Sequence, residues 1–567
     1  MPINTVFSWF IRKRLHQIEL FRRYPQEVQA EGLRHHLAAL AETQFGREHG
    51  ITAGTSPEAY RRQVPLRDYN GLKPWIERVR DGEADVLWPG SVKWHAKSSG
   101  TTSDRSKFIP VTEAALEKCH YKGGKDLLAM YVDAVPKARL YGGRHLIVGG
   151  TGRTEEADNG ALTGDLSAII IDNLPWWCEF RRTPARSIAL MADWEEKIER
   201  MARSTIEQDV RIVAGVPSWT QVLLERILDL TGKDHLGEVW PHLQLYMHGG
   251  VSFDPYREAF DRIMPPGIHT IETYNASEGF FSIQDRLGAE DMLLMLDYGI
   301  HYEFLPFASD FDPELHPFAP TIGLAEIDID TDYAVVISTN GGLHRYVLGD
   351  LVRFTSTAPY RIRVTGRTRS FLNLAGEELM VGDAERALAR TGRQFGVEIR
   401  NWTACAVAST GDDGAVGQHH WVIEPGHASG GLPDAGLFRD ALDRNLRKIN
   451  SDYDAKRTAD LVLLPPHFKW VSTGTFEKVL KHKGKLGGQH KVPRLSMEDR
   501  WMRAFLEVET ALNAPRRPPE DCGKSRPVLP CSPQPHGHAP RHRRQHRIGQ
   551  DDPHPASRPT LQDHPAL

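Results

Sequence analysis

The sequence of 567 residues lacks paired cysteines. No two of its five cysteines are separated by only two residues; they are Cys119, Cys178, Cys405, Cys522 and Cys531. Zinc ribbons need such pairs, and disulfide frameworks need a far higher density of cysteine. We therefore expect neither, and the scattered thiols fit a reducing compartment best.

Long apolar runs are also missing. Arg12, Lys13 and Arg14 directly follow Phe10 and Ile11, so the first segment does not have the apolar core of a signal peptide. No stretch of about 18 uncharged apolar residues occurs, which argues against a transmembrane helix. The sequence therefore predicts a cytoplasmic protein that is not inserted in a membrane.

An excess of one charge is absent as well. The chain has 70 Lys and Arg against 74 Asp and Glu, a formal net charge of -4. Nucleic-acid-binding proteins concentrate positive charge, so no nucleic-acid partner is predicted. With 40% hydrophobic and 25% charged residues the composition is typical of a globular enzyme. Its length predicts two large domains or three to four smaller ones, and leaves the oligomeric state open.

Aromatic residues disappear from the end of the chain. Residues 513–567 contain 12 prolines and 6 histidines but no Phe, Trp or Tyr. Such a segment buries too little apolar surface to offset the entropy lost on ordering. We predict that these residues form a disordered tail rich in Pro, His and Arg.

The rest of the chain carries the pattern of parallel strand-to-helix units. Residues 210–214, 243–247 and 268–273 are short apolar runs, and each ends in a turn of small or polar residues. Ligands bind outside the carboxyl ends of the strands in open parallel sheets. The three turns are therefore expected to line one crevice.

Two further groups of elements follow. Residues 324–329, 333–339 and 343–348 alternate in polarity around Asn340, Gly341 and Gly342, which predicts an antiparallel, barrel-like layer next to the parallel sheet. Beyond residue 373 the patterns predict a smaller α/β unit. Its expected helices span residues 383–390 and 437–450, and its expected strands span residues 402–407 and 420–423.

The string KSSGTTSDRSK at residues 97–107 combines hydroxyl side chains, one glycine and a terminal lysine. Its N-H and O-H donors can surround phosphate oxygens while Lys107 offsets their negative charge. It is not a Walker A loop, because the pattern GxxxxGK[ST] does not occur. The alternative is a solvated Ser/Thr linker.

Two more strings follow in order, YNASE at residues 274–278 and RYVLGD at residues 345–350. With SSGTT at residues 98–102, they resemble the three nucleotide motifs of the adenylate-forming superfamily. The resemblance is closest to the auxin-responsive acyl-acid amido synthetase family, of the Gretchen Hagen three type. Other strings that resemble this family are RLHQIELF from Arg14, GREHG at 46–50, GGV at 249–251 and GQHKVPR at 488–494.

The resemblance covers roughly residues 10 to 500 and implies a two-step, AMP-forming ligase. ATP and a small carboxylic acid would give an acyl-adenylate and pyrophosphate, with Mg2+ as cofactor. An amine or amino acid would then displace AMP and form an amide. The implied partners are therefore small molecules.

The family's site residues are carried over motif by motif. The resemblance implies that Ser98, Ser99, Thr101 and Thr102 hold the ATP phosphates, with Lys107 as a nearby catalytic positive charge. The same loop departs from the family at Asp104, where many members have a small residue. A carboxylate is unfavourable beside phosphates unless it faces solvent or a metal.

The resemblance assigns five further residues. Tyr274 would stack on adenine, Ser277 would contribute to the nucleotide site, and Glu278 would bind Mg2+ through a carboxylate oxygen. Asp350 would accept hydrogen bonds from both ribose hydroxyls, and Lys491 would be the mobile catalytic lysine at the α-phosphate. The alternatives are a core position for Tyr274, a helix cap for Glu278, the end of a strand for Asp350, and a neighbouring lysine in place of Lys491.

Two other positions depart from the family pattern. His490 stands where tyrosine is common, and Val347 stands where many members have a second arginine. We therefore assign no role to Arg345.

The superfamily's hinge is expected between GRTRS at residues 366–370 and NLAGE at residues 373–377. This gives a large adenylate-forming domain at residues 1–370, a small mobile domain at residues 371–512 and the tail. Five aromatic residues near the crevice strands are candidates for an acid-binding pocket, and the alternative for at least half of them is the core. They are Trp176, Trp177, Trp219, Phe280 and Phe281.

Three other functions stay open. An acyl-CoA ligase of the same superfamily shares the first step and differs in the acceptor. A serine hydrolase is suggested by the NASEG string, if Ser277 lies on a strand-to-helix turn like a nucleophile elbow. A non-catalytic nucleotide sensor would bind ATP without chemistry.

Overall fold

The computed structural model describes most of the chain up to residue 513. The described residues are 2–98, 107–150, 155–250, 253, 256–307, 311–368, 371–372, 374, 377, 379–411, 414–457, 463–482, 492–496 and 499–513. The predicted disordered tail beyond residue 513 lies outside them. In the described ranges, no helix is long and apolar enough to cross a membrane.

Helices occur along the whole described chain. Short helical segments of other types are a π-helix at Leu116–His120 and 3-10 turns at Leu140–Gly142 and Leu324–Glu326. The α-helices are α1 (Pro2–Arg23), α2 (Pro25–Ala41), α3 (Gln44–Glu48), α4 (Pro57–Gln63), α5 (Tyr69–Arg80), α6 (Glu113–Ala115), α7 (Tyr121–Ala134), α8 (Leu166–Asp172), α9 (Trp176–Glu179), α10 (Arg186–Ala189), α11 (Trp194–Thr205), α12 (Pro217–Thr231), α13 (Leu236–Val239), α14 (Arg257–Ile263), α15 (Val381–Phe395), α16 (Ala435–Ile449), α17 (Ser451–Arg457), α18 (Thr475–His482) and α19 (Arg500–Asn513).

The strands form one large sheet and smaller ones. They are β1 (Trp94–Ser98), β2 (Lys107–Val111), β3 (Arg144–Val148), β4 (Glu155–Glu156), β5 (Leu162–Gly164), β6 (Arg182–Thr183), β7 (Val210–Gly215), β8 (Leu245–Gly249), β9 (His269–Ala276), β10 (Gly279–Ile283), β11 (Met292–Leu294), β12 (Ile300–Pro306), β13 (Asp332–Thr339), β14 (Tyr346–Thr357), β15 (Tyr360–Arg367), β16 (Phe371–Leu372), β17 (Leu379–Met380), β18 (Val397–Gly411), β19 (Gly414–Ala428), β20 (Leu463–Trp470) and β21 (Leu495–Ser496).

The large sheet has 11 strands in the order β12-β13-β14-β15-β11-β10-β9-β8-β7-β3-β6. Strands β6, β3, β7, β8 and β9 pair in parallel, and the remaining strands pair antiparallel. The predicted parallel sheet and antiparallel layer therefore join at β9 and β10 within one hydrogen-bonded sheet. The mixed α/β class is confirmed.

The first two strand-to-helix units are confirmed, and the third is wrong. Strand β7 leads into α12, and β8 precedes α14. Strand β9, however, is followed by the antiparallel strand β10, with Ala276 paired to Gly279 across the turn. The run Phe280 to Ile283 is apolar and fully buried, so it pairs in the sheet and does not form an amphipathic helix.

The antiparallel prediction holds for β13 and β14 but fails for residues 324–329. That segment contains the 3-10 turn, which is capped because the Gly323 N-H donates to Glu326 Oε2 at 3.0 Å. Strand β14 also begins only at Tyr346, three residues later than predicted. Arg345 has φ +45°, so the chain turns there and the extended backbone starts after it.

Two four-stranded sheets accompany the large one. Strands β2-β1-β5-β4 form one sheet, in which β1 and β2 make an antiparallel hairpin. Strands β20-β19-β18-β21 form the C-terminal sheet, which packs with α15, α16 and α17 around its own hydrophobic core. This separate core supports the predicted small domain, although its boundary at residues 370 and 371 stays a prediction.

Candidate active site

The second motif forms the tight turn between β9 and β10. Ser277 and Glu278 are the two residues of this turn. Ser277 is buried, and its hydroxyl has no hydrogen-bond partner among the described residues. Burial raises the pKa of the Glu278 carboxyl, although the nearby charges of Lys107 and Arg367 oppose that shift. A cation bound here would stabilise the carboxylate and relieve this penalty.

This geometry corrects two of the alternatives. Ser277 does not lie on a strand-to-helix turn, so the nucleophile elbow and the serine hydrolase that depends on it are wrong. No helix follows Glu278, so the helix-cap alternative for that residue is also wrong.

The third motif contains a wide bulge in β14. Val347 pairs with Val336 and Leu351 pairs with Ala334, so Leu348, Gly349 and Asp350 lie opposite a single residue of β13, Val335. Gly349 has φ +89°, a conformation that favours glycine. Bulges of this kind redirect a side chain next to functional sites. Asp350 therefore lies within β14, and the strand-end alternative for it is wrong.

Asp350 connects the second and third motifs. The Tyr274 hydroxyl donates to its Oδ2 at 2.8 Å, and Arg367 Nε lies 3.0 Å from its Oδ1. Only 7% of Asp350 is exposed. We call Tyr274, Asp350 and Arg367 the Asp350 cluster. Burial, followed by the charge of Asp350, raises the pKa of Tyr274 well above its ordinary value, so its hydroxyl stays protonated and donates.

Lys107 approaches the same region from β2. Its Nζ lies 3.5 Å from the Tyr346 hydroxyl and 5.7 Å from the centre of the Tyr69 ring. Lys107 also acts on Glu278 through its charge. Lys107 and Ser98 face each other as the last pair of the β1–β2 hairpin. The end of the hydroxyl-rich string thus lies next to the third motif and near Glu278 of the second.

The strand after Glu278 is packed tightly against the helical layer. Phe280 N-H donates to Cys119 Sγ at 3.1 Å, and Cys119 belongs to the π-helix before α7. A Cβ on Gly123 of α7 would come within 2.6 Å of the Phe280 ring. Glycine at position 123 is therefore required for β10 to lie this close to α7.

The predicted site residues fall into two groups. Lys107, Tyr274, Ser277, Glu278 and Asp350 are described. The large sheet brings the last four together, and β2 of the four-stranded sheet adds Lys107. The others are outside the described residues, or have a side chain that is outside them. These are Ser98, whose backbone ends β1, and Ser99, Thr101, Thr102 and Lys491.

Two residues of this neighbourhood were missed in the sequence. Arg367 was interpreted only as part of the hinge, and Tyr346 was given no role. The signal for Arg367 is its position at the end of a strand that would pair with the strand of Asp350, where it lies directly opposite that residue. No sequence signal distinguishes Tyr346 from a core tyrosine.

The five aromatic candidates for the acid-binding pocket lie in different environments. Phe280 and Phe281 are buried in the hydrophobic core between α7 and strands β9–β15. Trp219 packs against Trp194 beside a separate core, formed by β3, β7, α11 and α12. Trp176 is 82% exposed. The side chain of Trp177 lies outside the described residues. For three of the five, the core alternative is therefore confirmed.

The donor set fits a phosphate-bound Mg2+ better than a protein-enclosed metal. Within the described ranges, no group of three or more His, Cys, Asp or Glu side chains is arranged to hold a metal. Mg2+ commonly uses one or two carboxylates together with substrate phosphates and water. Glu278 can supply such a carboxylate.

Comparisons with known proteins agree with this architecture. Residues 14–267 match the GH3 family N-terminal domain, residues 293–367 its central domain and residues 382–500 its C-terminal domain. Indole-3-acetic acid-amido synthetase GH3.4 of Arabidopsis thaliana is 22% identical, over 85% of this chain and 91% of its own length.

Two solved structures are similar in fold. GH3.15 acyl acid amido synthetase aligns with a TM-score of 0.71 at 16% identity, covering 88% of this chain and 96% of that chain. A 2-hydroxyisobutyryl-CoA ligase in the postadenylation state aligns with a TM-score of 0.50 at 12% identity, covering 88% and 91%.

By its fold and its relatives, the chain is an adenylate-forming ligase, an enzyme that joins AMP to an acid before it transfers the acyl group. The three family models together match most of the chain, and it belongs to the GH3 family.

Proposed function

We propose that this protein is an ATP-dependent acyl acid amido synthetase that conjugates a small carboxylic acid to an amino acid. The observation that carries the proposal is the Asp350 cluster, which lies beside Glu278 and Lys107. A nearly buried carboxylate with two donors can exchange them for the two hydroxyls of a ribose. The family relationship supports the same reaction.

In the first step, an oxygen of the acid attacks the α-phosphorus of ATP, and pyrophosphate leaves. Asp350 accepts hydrogen bonds from the ribose, and Glu278 would hold Mg2+, whose charge would offset that of the phosphates. The hydroxyl string at residues 98–102 and Lys107 offset the phosphate charge. Lys491 is the lysine that approaches the α-phosphate, where negative charge develops in the transition state.

In the second step, the amine nitrogen attacks the acyl carbon and AMP leaves with the bonding electron pair. The amine loses one proton, and an amide forms. We propose that the C-terminal domain rotates between the two steps about the segment at residues 366–377, so that Lys491 serves only the first.

The acyl-CoA ligase is the second candidate, because a CoA ligase is among the structures with the same fold. It differs only in the acceptor. The match to the GH3 family along most of the chain, with amido synthetases among the relatives, favours an amine.

A two-stage screen tests the proposal. A library of carboxylic acids is first tested for ATP-dependent pyrophosphate release at an ATP concentration near the KM, with Asp350→Ala as the matched control of reduced activity. Active acids are then supplied with pooled amino acids or with CoA. We expect amides with amino acids. Thioesters alone would establish the CoA ligase, and ATP binding without pyrophosphate exchange over the whole library would establish a nucleotide sensor.

A further inference from the structure

Arg345 has the most highly connected buried guanidinium close to the nucleotide motifs. Only 1% of the residue is exposed. Its Nε donates to Glu303 Oε2 at 2.9 Å, and its Nη2 donates to Thr321 Oγ1 at 2.9 Å. Its Nη1 donates to the carbonyl oxygens of Arg61 and Val64 at 2.7 and 2.8 Å. The planar guanidinium is thereby fixed in one orientation.

The backbone of Arg345 is fixed at the same time. Its N-H donates to Ser338 Oγ at 3.0 Å, and that oxygen also contacts the Tyr60 hydroxyl at 2.8 Å. Its carbonyl accepts from the Arg67 N-H at 3.2 Å. The φ of +45° is unfavourable for a residue with a side chain and persists only where the surroundings enforce it.

Glu303 is the buried and ionised partner of Arg345. The Glu303 carboxylate is 1% exposed and also pairs with Arg61 at 3.0 Å. Burial would raise the pKa of Glu303, but the charge of Arg345 and the hydrogen bonds lower it below its ordinary value. Glu303 therefore stays ionised. A buried pair of this kind adds little net stability compared with apolar residues, whereas it does fix geometry.

Arg345 directly precedes the bulged segment of β14. Tyr346 and Val347 follow it, held on one side by β13 and on the other by Arg67, whose carbonyl accepts from Val347 N-H at 2.8 Å. Leu348, Gly349 and Asp350 then form the bulge. The two residues with positive φ, Arg345 and Gly349, therefore lie just before and within the segment that carries Asp350.

We propose that Arg345 is a positioning residue, which acts through the start of β14 to hold Asp350 at the ATP ribose. This inference rests on the proposed function, because it takes Asp350 to be the ribose-binding carboxylate. Arg345 touches neither ATP nor the acid. It orients Asp350, which does contact ATP, and Glu303 is its essential partner.

The test compares nucleotide recognition with stability. The full-length variants Arg345→Lys and Glu303→Gln are titrated calorimetrically with Mg-ATP and with Mg-2′,3′-dideoxy-ATP, which lacks both ribose hydroxyls. The matched control is Arg361→Lys. Arg361 is also buried and ion-paired, to Asp285, but it lies at the far end of β15 from Arg367. Asp350→Ala gives the reference for complete loss of ribose recognition.

We expect the unchanged protein to bind ATP more tightly than the dideoxy analogue. Arg345→Lys should weaken ATP binding by about tenfold or more, since small displacements of a positioned group have effects of this size. Its affinity for the dideoxy analogue should change little, so the ratio should approach that of Asp350→Ala. Glu303→Gln, which keeps the shape of the side chain, should show the same pattern if Arg345→Lys folds poorly.

The two proposals fail in different ways. If the unchanged protein did not bind ATP, the proposed function and the positioning role would both be overturned. If ATP bound but Arg345→Lys and Glu303→Gln kept the full ratio, the positioning role alone would be overturned. Equal weakening of both nucleotides, matched by Arg361→Lys at a similar loss of Tm, would likewise reduce Arg345 to a structural residue.

Discussion

The buried ion pair of Arg345 and Glu303 differs in kind from the exposed ion pair that joins the C-terminal region, residues 381–513, to α11. Arg345 and Glu303 are each 1% exposed. Lys481 and Glu195, which connect the C-terminal region to α11, are 62% and 65% exposed. A buried pair fixes geometry, whereas an exposed pair exchanges readily with water.

Other contacts of the C-terminal region are polar too. Arg400 lies 3.8 Å from Glu225, and Arg494 donates to the Tyr256 hydroxyl at 3.3 Å. Arg262 reaches Glu398 at 3.2 Å. Polar contacts of this type are typical of interfaces that separate and re-form. The buried pair thus belongs to a fixed ribose site, whereas the C-terminal contacts are polar and partly exposed, as the rotation proposed above would require.

The largest expected effect concerns Lys491 of the C-terminal region, which we propose serves only the first half-reaction. Lys491→Ala should reduce acid-dependent pyrophosphate exchange by about 100-fold or more, the scale seen when one preorganised donor is lost. It should convert a supplied acyl-adenylate and amino acid to amide at nearly the normal rate, because the AMP leaving group is already in place. Equal losses in both half-reactions would contradict the role, and normal exchange would transfer it to Lys483 or Lys485.

A slightly smaller effect is expected on the preformed side. Asp350→Ala should raise the KM for ATP by about tenfold or more, since a charge-assisted hydrogen bond contributes roughly 1.5–3 kcal/mol. The steady-state KM is measured for ATP at saturating acid. Asp332→Ala is the matched control, because Asp332 of β13 forms an ion pair with Arg353 of β14, outside the site. An unchanged KM in Asp350→Ala would remove Asp350 from the ribose site.

Acidic pH should destabilise the large domain, because this domain contains buried histidines. Burial lowers the pKa of His120 from 6.5 to about 4, and His145, His301 and His344 behave alike. Between pH 6.5 and 4, the unfolded chain binds protons at these histidines that the folded chain does not bind. The stability that these neutral histidines contribute is therefore complete above pH 6.5 and falls as the pH decreases toward 4.

One buried histidine accounts for up to about 1.4 kcal/mol per pH unit in that window. The variant His120→Gln should accordingly show a smaller fall in the free energy of unfolding between pH 6.5 and 5.5 than the unchanged protein. Urea unfolding at the two pH values measures it. An identical fall would show that His120 titrates normally in the folded protein.

The smallest effect should come from the exposed pair. Lys481→Ala should leave Tm and pyrophosphate exchange without measurable change, because both side chains are solvated. Glu195→Ala serves as the reciprocal variant. A clear fall in Tm would show that this contact is a fixed part of the fold and would remove the contrast with Arg345.

Much of the fold was predictable because its signals are local. The apolar runs of β7 and β13 and the periodic helix α16 are determined by neighbouring side chains. Strand β10 was missed because NASEG reads equally as the start of a helix, and only pairing with β9 decides between them. The three motifs placed Asp350 and Tyr274 in one site. Arg367 and Arg345 were not placed, because their roles depend on partners that are distant in sequence, or on a bulge.

The bulge in β14 adds two residues to the strand without changing which of its faces packs against the core. Val347 and Leu351 on β14, with Val336 and Ala334 on β13, belong to the same hydrophobic cluster. The two additional residues between them preserve this, because an even number leaves the alternation of faces unchanged. A deletion of a single residue at 348–350 would instead turn one side of β14 over. A change of one residue in the length of this segment would therefore need a compensating bulge elsewhere in β14 to keep Leu351 in the core.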